Sequence, residues 1–244
     1  MVLIGSTITN NTAIVGAGIN NAGSGSIAVT NSTISNNTTG NGPYGSGGGI
    51  YNSGGPMTMT NSTISGNSAT DRGGGGIYNS GPMSVTNSTI SGNSARLFGA
   101  GGVDNNGIMT INNSTVSGNS TLANGGGGIG NGGTMTVLYS TISGNSAASS
   151  ILGFGVGGIV SGAPGSLTLR GTIIAQNSEE NCFIDSSSDG GYNLEDGGSC
   201  SFVQPTSSHQ PALLGPLANN GGPTQTVALL PGSPAIDHGG TSAN

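Results

Sequence analysis

The sequence predicts an all-β fold, a right-handed, single-stranded parallel β-helix of six to seven coils followed by a C-terminal cap. Three observations carry this reading. A segment of the form Asn-Ser-Thr-Ile-Ser-x-Asn recurs at intervals near 26 residues; short runs within each interval place apolar residues at period two; and 50 of the 244 residues are Gly while Trp is absent and aromatics are 4%. So few large side chains cannot fill an ordinary globular core. The Gly content is about three times the usual ~7%, without the strict every-third-residue spacing of collagen.

The first column of apolar residues is Ile8, Ile34, Ile64, Ile90, Val116, Ile142 and Ile174, spaced 26, 30, 26, 26, 26 and 32 residues apart. A second column follows the Gly runs: Ile19, Ile50, Ile77, Val103, Ile129 and Ile159. The third is an alternating pair, Met57 and Met59 in one coil and Met83 and Val85 in the next. Each unit thus holds three short strands with one face inward, separated by Gly and Asn turns. A 26-residue unit cannot bury that face alone, but stacking coil on coil makes a continuous column and pairs the backbone along the stack. Parallel crossovers favour the right hand. Gly runs, Ser, Thr and Asn oppose helix, and no 3.6 period appears.

Asparagine stands three residues after the first-column apolar residue in all seven copies: Asn11, Asn37, Asn67, Asn93, Asn119, Asn145 and Asn177. A second series, Asn21, Asn52, Asn79, Asn105 and Asn131, ends at Ser161. Both read as structural amide ladders, with Asn also tolerating a left-handed turn. The repeats span residues 1–177, and residues 178–244 form the cap. Cys182 and Cys200 lie close together outside the repeats, which suits one disulfide and an oxidising, exported setting. A zinc site built from Cys182, Cys200, His209 and His238 lacks the close ligand pairs such sites use. No metal or cofactor is expected.

Net charge is -6, with three Arg and no Lys, so no basic patch exists for nucleic acid or an anionic membrane. No apolar run approaches a membrane span. The chain enters its first repeat without a signal peptide. The expectation is therefore a fragment of a longer exported protein, its signal and anchor lying outside this chain.

The repeated Thr-Ile-Ser-Gly-Asn and Gly-Gly-Gly-Ile-Tyr-Asn units resemble right-handed parallel β-helix repeat proteins of bacterial surfaces. Shorter motifs of this kind occur in polymorphic outer-membrane adhesins. In the tail, Gly191-Tyr192-Asn193-Leu194, Leu214-Gly215-Pro216-Leu217, Asn220-Gly221-Gly222-Pro223-Thr224 and Leu230-Pro231-Gly232-Ser233-Pro234-Ala235-Ile236-Asp237 resemble the choice-of-anchor Q segment that follows such helices. The resemblance implies secretion and presentation at a bacterial cell surface.

Length variation collects on one edge. Seven residues separate the third column from the first in every coil from Ile27 on, whereas the ladder Asn to the Gly-run apolar residue spans 8 to 14. Single-edge insertions commonly form a solenoid's binding surface. These loops carry Tyr44, Asp71, Arg72, Arg96, Phe98 and Phe154, the candidate contacts for a polysaccharide or a surface protein. Tyr51 and Tyr78, on adjacent coils, offer a second small surface. The expected function is a non-catalytic adhesion-type module.

Two alternatives stand beside it. Outward hydroxyls flank the first column at Thr7 and Thr9, Thr33 and Ser35, Thr63 and Ser65, Thr89 and Ser91, Thr115 and Ser117, and Thr141 and Ser143, a grid resembling the Thr-x-Thr face of ice-binding β-solenoids. Parallel β-helices also host polysaccharide lyases and hydrolases, which need clustered carboxylates and a base. Only Asp71 and Asp104 are acidic in residues 1–177, and that stretch has no Lys or His. The tail acids, with Asp237-His238, read as a solvated cap.

Overall fold

A computed structural model describes residues 1–40, 45–71, 73–122, 125–148, 155–185 and 187–240. The chain winds into a parallel β-solenoid of about seven turns in which each residue column of the sequence becomes a stack. Met57, Met83, Met109 and Met135 pair in register, and Leu167 continues the stack. Ile34, Ile64, Ile90, Val116, Ile142 and Ile174 do the same on the next sheet. Ile50, Ile77, Val103, Ile129 and Ile159 form the third inward column. All three columns merge into one apolar core whose members are almost entirely buried. No described helix is long and apolar enough to cross a membrane.

A fourth, shorter sheet accompanies the three expected ones. Two-residue strands such as Ser68–Ala69 and Ser94–Ala95 follow the ladder Asn from Asn11 to Asn145 and stack in register. Period-two reasoning misses them because two residues cannot show an alternation.

The amide ladders form as expected. Asn93 is fully buried; its Nδ2 donates to Asn119 Oδ1 at 2.9 Å and to the Ile64 carbonyl at 3.1 Å, while its Oδ1 accepts from the Asn67 backbone N–H and Nδ2, both at 2.9 Å. The second series donates along the stack from Asn21 to Asn131 and ends on Ser161 Oγ. The left-handed turn is not made by the ladder Asn. It falls on the preceding residue, Asn10 and Asn36 in the early coils and Gly66, Gly92, Gly118 and Gly144 later. A third ladder went unread in the sequence: the Ser32, Ser62, Ser88, Ser114 and Ser140 hydroxyls each accept the backbone N–H of the serine one coil back. Ser was read there only as part of the repeat motif.

The segment after Asn177 does not leave the solenoid. Glu180–Ile184, Ser187–Asp189 and Leu194–Glu195 each add a rung to a different sheet, so a further irregular coil lies within residues 178–195. Cys182 takes the next place in the Gly-run column, above Ile159, and bonds to Cys200; both are buried in the main core. The disulfide thus plugs the end of the apolar column. Beyond it, Leu214–Ala218 and Thr226–Leu229 form an antiparallel hairpin. The tail is seated by a small second cluster in which Ala212 and Leu214 pack with Ala175 and Leu194.

Candidate functional site: an aromatic and acidic cleft on the Gly-run edge

On the sheet that follows the Gly runs, outward positions alternate with the inward column. In register they read Asn20, Tyr51, Tyr78, Asp104, Gly130, Val160 and Phe183. Parallel in-register pairing stacks like on like. Tyr51 and Tyr78 accordingly lie ring over ring, with centroids 5.1 Å apart and planes 6° from parallel. One rung on, the aromatic gives way to a carboxylate, and one rung further Gly130 offers no side chain.

A cleft of about 360 Å³ opens here, lined by Gly73, Tyr78, Phe98, Asp104 and Asn106. That volume lies at the small end of the ~300–1,000 Å³ common for ligand sites. Phe98 comes from a variable loop and is 63% exposed. Its backbone N–H donates to the Asp71 carbonyl at 3.1 Å, which fixes the loop to the coil before it. Arg96, whose side chain is exposed, is tied the same way through its N–H to the Ala69 carbonyl.

Asp104 is the polar centre. It retains some exposed surface, but its carboxyl is ringed by protein, and burial pushes it up to about 6; the hydrogen bond from Asn106 Nδ2 to Oδ1, 3.1 Å, works the other way. Burial wins because a charge loses more hydration than one amide returns. Gly73 and Gly99 make room for the carboxylate: a Cβ on either would overlap Asp104 Oδ2. These two glycines serve close approach, in addition to the turn that Gly99 makes at positive φ.

Of the loop residues expected from the sequence, Phe98 lines the cleft, and Asp71 and Arg96 belong to the loops around it. Tyr44, Arg72 and Phe154 lie outside the described residues. The two surfaces read separately, the variable loops and the Tyr51/Tyr78 pair, meet in this one cleft. Asp104 and Asn106 were missed as partners of Phe98 and Tyr78. The signal was present in the register, since Tyr51, Tyr78 and Asp104 each directly follow a Gly-run apolar residue.

No known protein family, curated protein or solved structure matches the chain.

The hydroxyl grid is not an open face. Thr89, Thr115, Ser91, Ser117 and Ser143 are buried, at 0%, 4%, 9%, 7% and 3% exposure. The C-terminal hairpin folds back along this sheet: Thr89 Oγ1 donates to the Gln225 carbonyl at 2.5 Å, and Thr224 Oγ1 to the Asn87 carbonyl at 3.4 Å. Its tip reaches the coils of Thr33 and Thr63, where Pro223 closes a pocket beside both. Thr7 and Thr9 are exposed, and Thr33, Ser35, Thr63, Ser65 and Thr141 are half-buried. A sheet whose hydroxyls follow a strict repeat gives no sign in sequence that a distant segment lies across it.

The tail acids are more organised than a solvated cap requires. Glu195 is fully buried and accepts from Asn181 Nδ2, the N–H groups of Gly198 and Ser199, and Ser199 Oγ, with His209 Nδ1 at 2.9 Å. Asp189 accepts from the N–H groups of Gly191, Val203 and Gln204, from Asn193 Nδ2 and from Ser207 Oγ. For both, burial pushes upward, yet the summed hydrogen bonds hold the carboxyl below its ordinary value. These acids tie the disulfide loop together. His238 Nδ1 instead meets the Ile236 carbonyl at 2.7 Å, and the two cysteines are consumed by their own bond.

Proposed function

We propose that the chain is a non-catalytic, exported surface module of adhesion type that binds glycan or a protein partner through its variable-loop edge. The observation that carries the reading is the convergence of Phe98, Tyr78, Asp104 and Asn106 in one cleft on a rigid stack. Aromatic faces with a few placed polar groups are the usual furnishing of a recognition site. Among the described residues lining it, Asp104 is the single ionisable carboxyl, which suits binding better than the paired carboxylates of glycoside hydrolysis. The disulfide supports an oxidising compartment. The resemblance of the tail to choice-of-anchor Q segments supports presentation at a bacterial surface.

The test is retention on a panel of insoluble and soluble polysaccharides and surface-protein extracts, with the supernatant assayed for released or unsaturated sugars. Retention without product, weakened by Phe98→Ala, is the expected result. Sugar release would overturn the non-catalytic reading, and no retention would overturn the glycan arm of it.

A further inference from the structure

We infer that the cleft seats one pyranose ring of a neutral glycan, its C–H face against Phe98 and a ring hydroxyl donating to the Asp104 carboxylate, so that capture requires the ionised acid. This rests on the binding reading above and adds the ligand's class and a pH dependence.

The geometry supplies each part. Phe98 presents an exposed ring in the same cleft as the polar side chains of Asp104 and Asn106. Apolar sugar faces pack on aromatic rings while their hydroxyls seek directional partners. Asp104 Oδ1 accepts from Asn106 Nδ2, but among the described residues no hydrogen bond reaches Oδ2. Asp104 lines the cleft, and an ionised carboxylate has acceptor capacity beyond the one bond from Asn106, which a ligand hydroxyl can use. Asn106, exposed and already donating through Nδ2, keeps its own carbonyl oxygen for a second hydroxyl.

Charge narrows the ligand. A uronate polymer brings carboxylates toward Asp104 in a chain of net charge -6. A neutral ring avoids that penalty.

The groups around Asp104 are Asn106 on its own strand, Tyr78 and Gly130 on the neighbouring rungs, Gly73 and Gly99 from the turns, and Phe98; Asp71 and Arg96 are the charged residues of the surrounding described loops. Residues 1–177 contain no His or Lys. A binding transition near pH 6 therefore belongs to Asp104, whose burial places it there. Ionised carboxylates accept hydrogen bonds about twice as strongly as neutral acceptors.

The experiment is calorimetric titration of the full chain with laminarin, dextran, galactomannan and arabinogalactan, with polygalacturonate and an oligolysine as comparators, from pH 5 to 7.5. At least one neutral glycan should bind at pH 7.5 and weaken about tenfold by pH 5, the loss expected when a carboxyl of pKa about 6 protonates. Asp104→Asn should bind more than tenfold more weakly at pH 7.5 and show no pH dependence; Phe98→Ala should weaken binding at every pH while leaving the transition near pH 6. Phe98 is exposed, so its loss leaves the core intact, and thermal unfolding checks that Asp104→Asn is folded. Neutral-glycan binding that ignores pH or either substitution overturns this inference and leaves the module reading standing. Binding of only polygalacturonate or oligolysine overturns the ligand class. If no probe binds, this inference falls and the glycan reading falls with it.

Discussion

Replacing Asn93 by Ala in the middle of the first amide ladder should destabilise the solenoid more than the same change at its end. The Asn93 side chain makes four hydrogen bonds, all buried, two as donor and two as acceptor. Its removal leaves the Asn67 backbone N–H and the Ile64 carbonyl without those partners. Asn67 Nδ2 still reaches the Ile34 carbonyl, and Asn119 Oδ1 still accepts the Asn93 backbone N–H, so these two are only reduced. The Ile64 carbonyl keeps the ladder N–H of the next coil, where Ser65 pairs with Ser91, so the one orphaned buried group, the Asn67 N–H, sets a cost of about 1–3 kcal/mol. Asn11 is exposed, and among the described residues its side chain makes one hydrogen bond, from Nδ2 to Asn37 Oδ1, so Asn11→Ala should cost less than about 1 kcal/mol. Because a repeat stack need not unfold in one step, denaturant unfolding should be paired with hydrogen exchange. The Asn67 amide should lose protection in Asn93→Ala while amides near Ile174 hold theirs. Equal costs at the two positions, or an unchanged Asn67 amide, would refute the view that the ladder stabilises by satisfying neighbouring coils.

Other consequences are open to measurement. Asp189 and Glu195 have folded-state pKa values below their unfolded ones, so their stabilisation is full above the ordinary carboxyl range and is lost as pH falls through it; acid should loosen the cap around Cys200 first, seen as early loss of amide protection at Val203 and Gln204. Asp104 has the opposite sign: its raised pKa makes the ionised form a cost to folding, so Asp104→Asn should raise thermal stability at pH 7.5 and the advantage should vanish by pH 4. Replacing Cys182 and Cys200 together by Ala should cost roughly 3 kcal/mol from the 18-residue separation, plus the lost plug on the core, read by denaturant midpoint. Thr89→Arg, at the hydroxyl that bonds the hairpin, should release the tail and speed proteolysis within residues 211–230, while Thr7→Arg on the exposed first coil should not.

The fold was legible because a solenoid repeats each physical requirement once per coil. An inward apolar position, an Asn beside a left-handed Gly or Asn, and a Gly where a Cβ would strike the next coil all recur at one period, so columns written in sequence become stacks in space. At Gly75, for instance, a Cβ would overlap the Ser94 and Gly101 carbonyls of the following coil. The two-residue strands and the serine ladder stayed hidden because each repeats a coil-to-coil hydrogen bond without an alternating hydrophobic signature.

By itself, then, the sequence determined the all-β class, the coil length, the three core columns and the amide ladders. Only the tertiary structure decided the rest, and the reason is distance along the chain. Asp104 falls beside Tyr78 in the register of the Gly-run column, but Phe98 joins them through a variable loop, which no periodic pattern encodes. The disulfide caps the core because Cys182 falls on the Ile159 column. The hairpin covers Thr89 from 136 residues away, a contact held by two hydroxyl bonds and a small apolar cluster with no periodic signature to announce it.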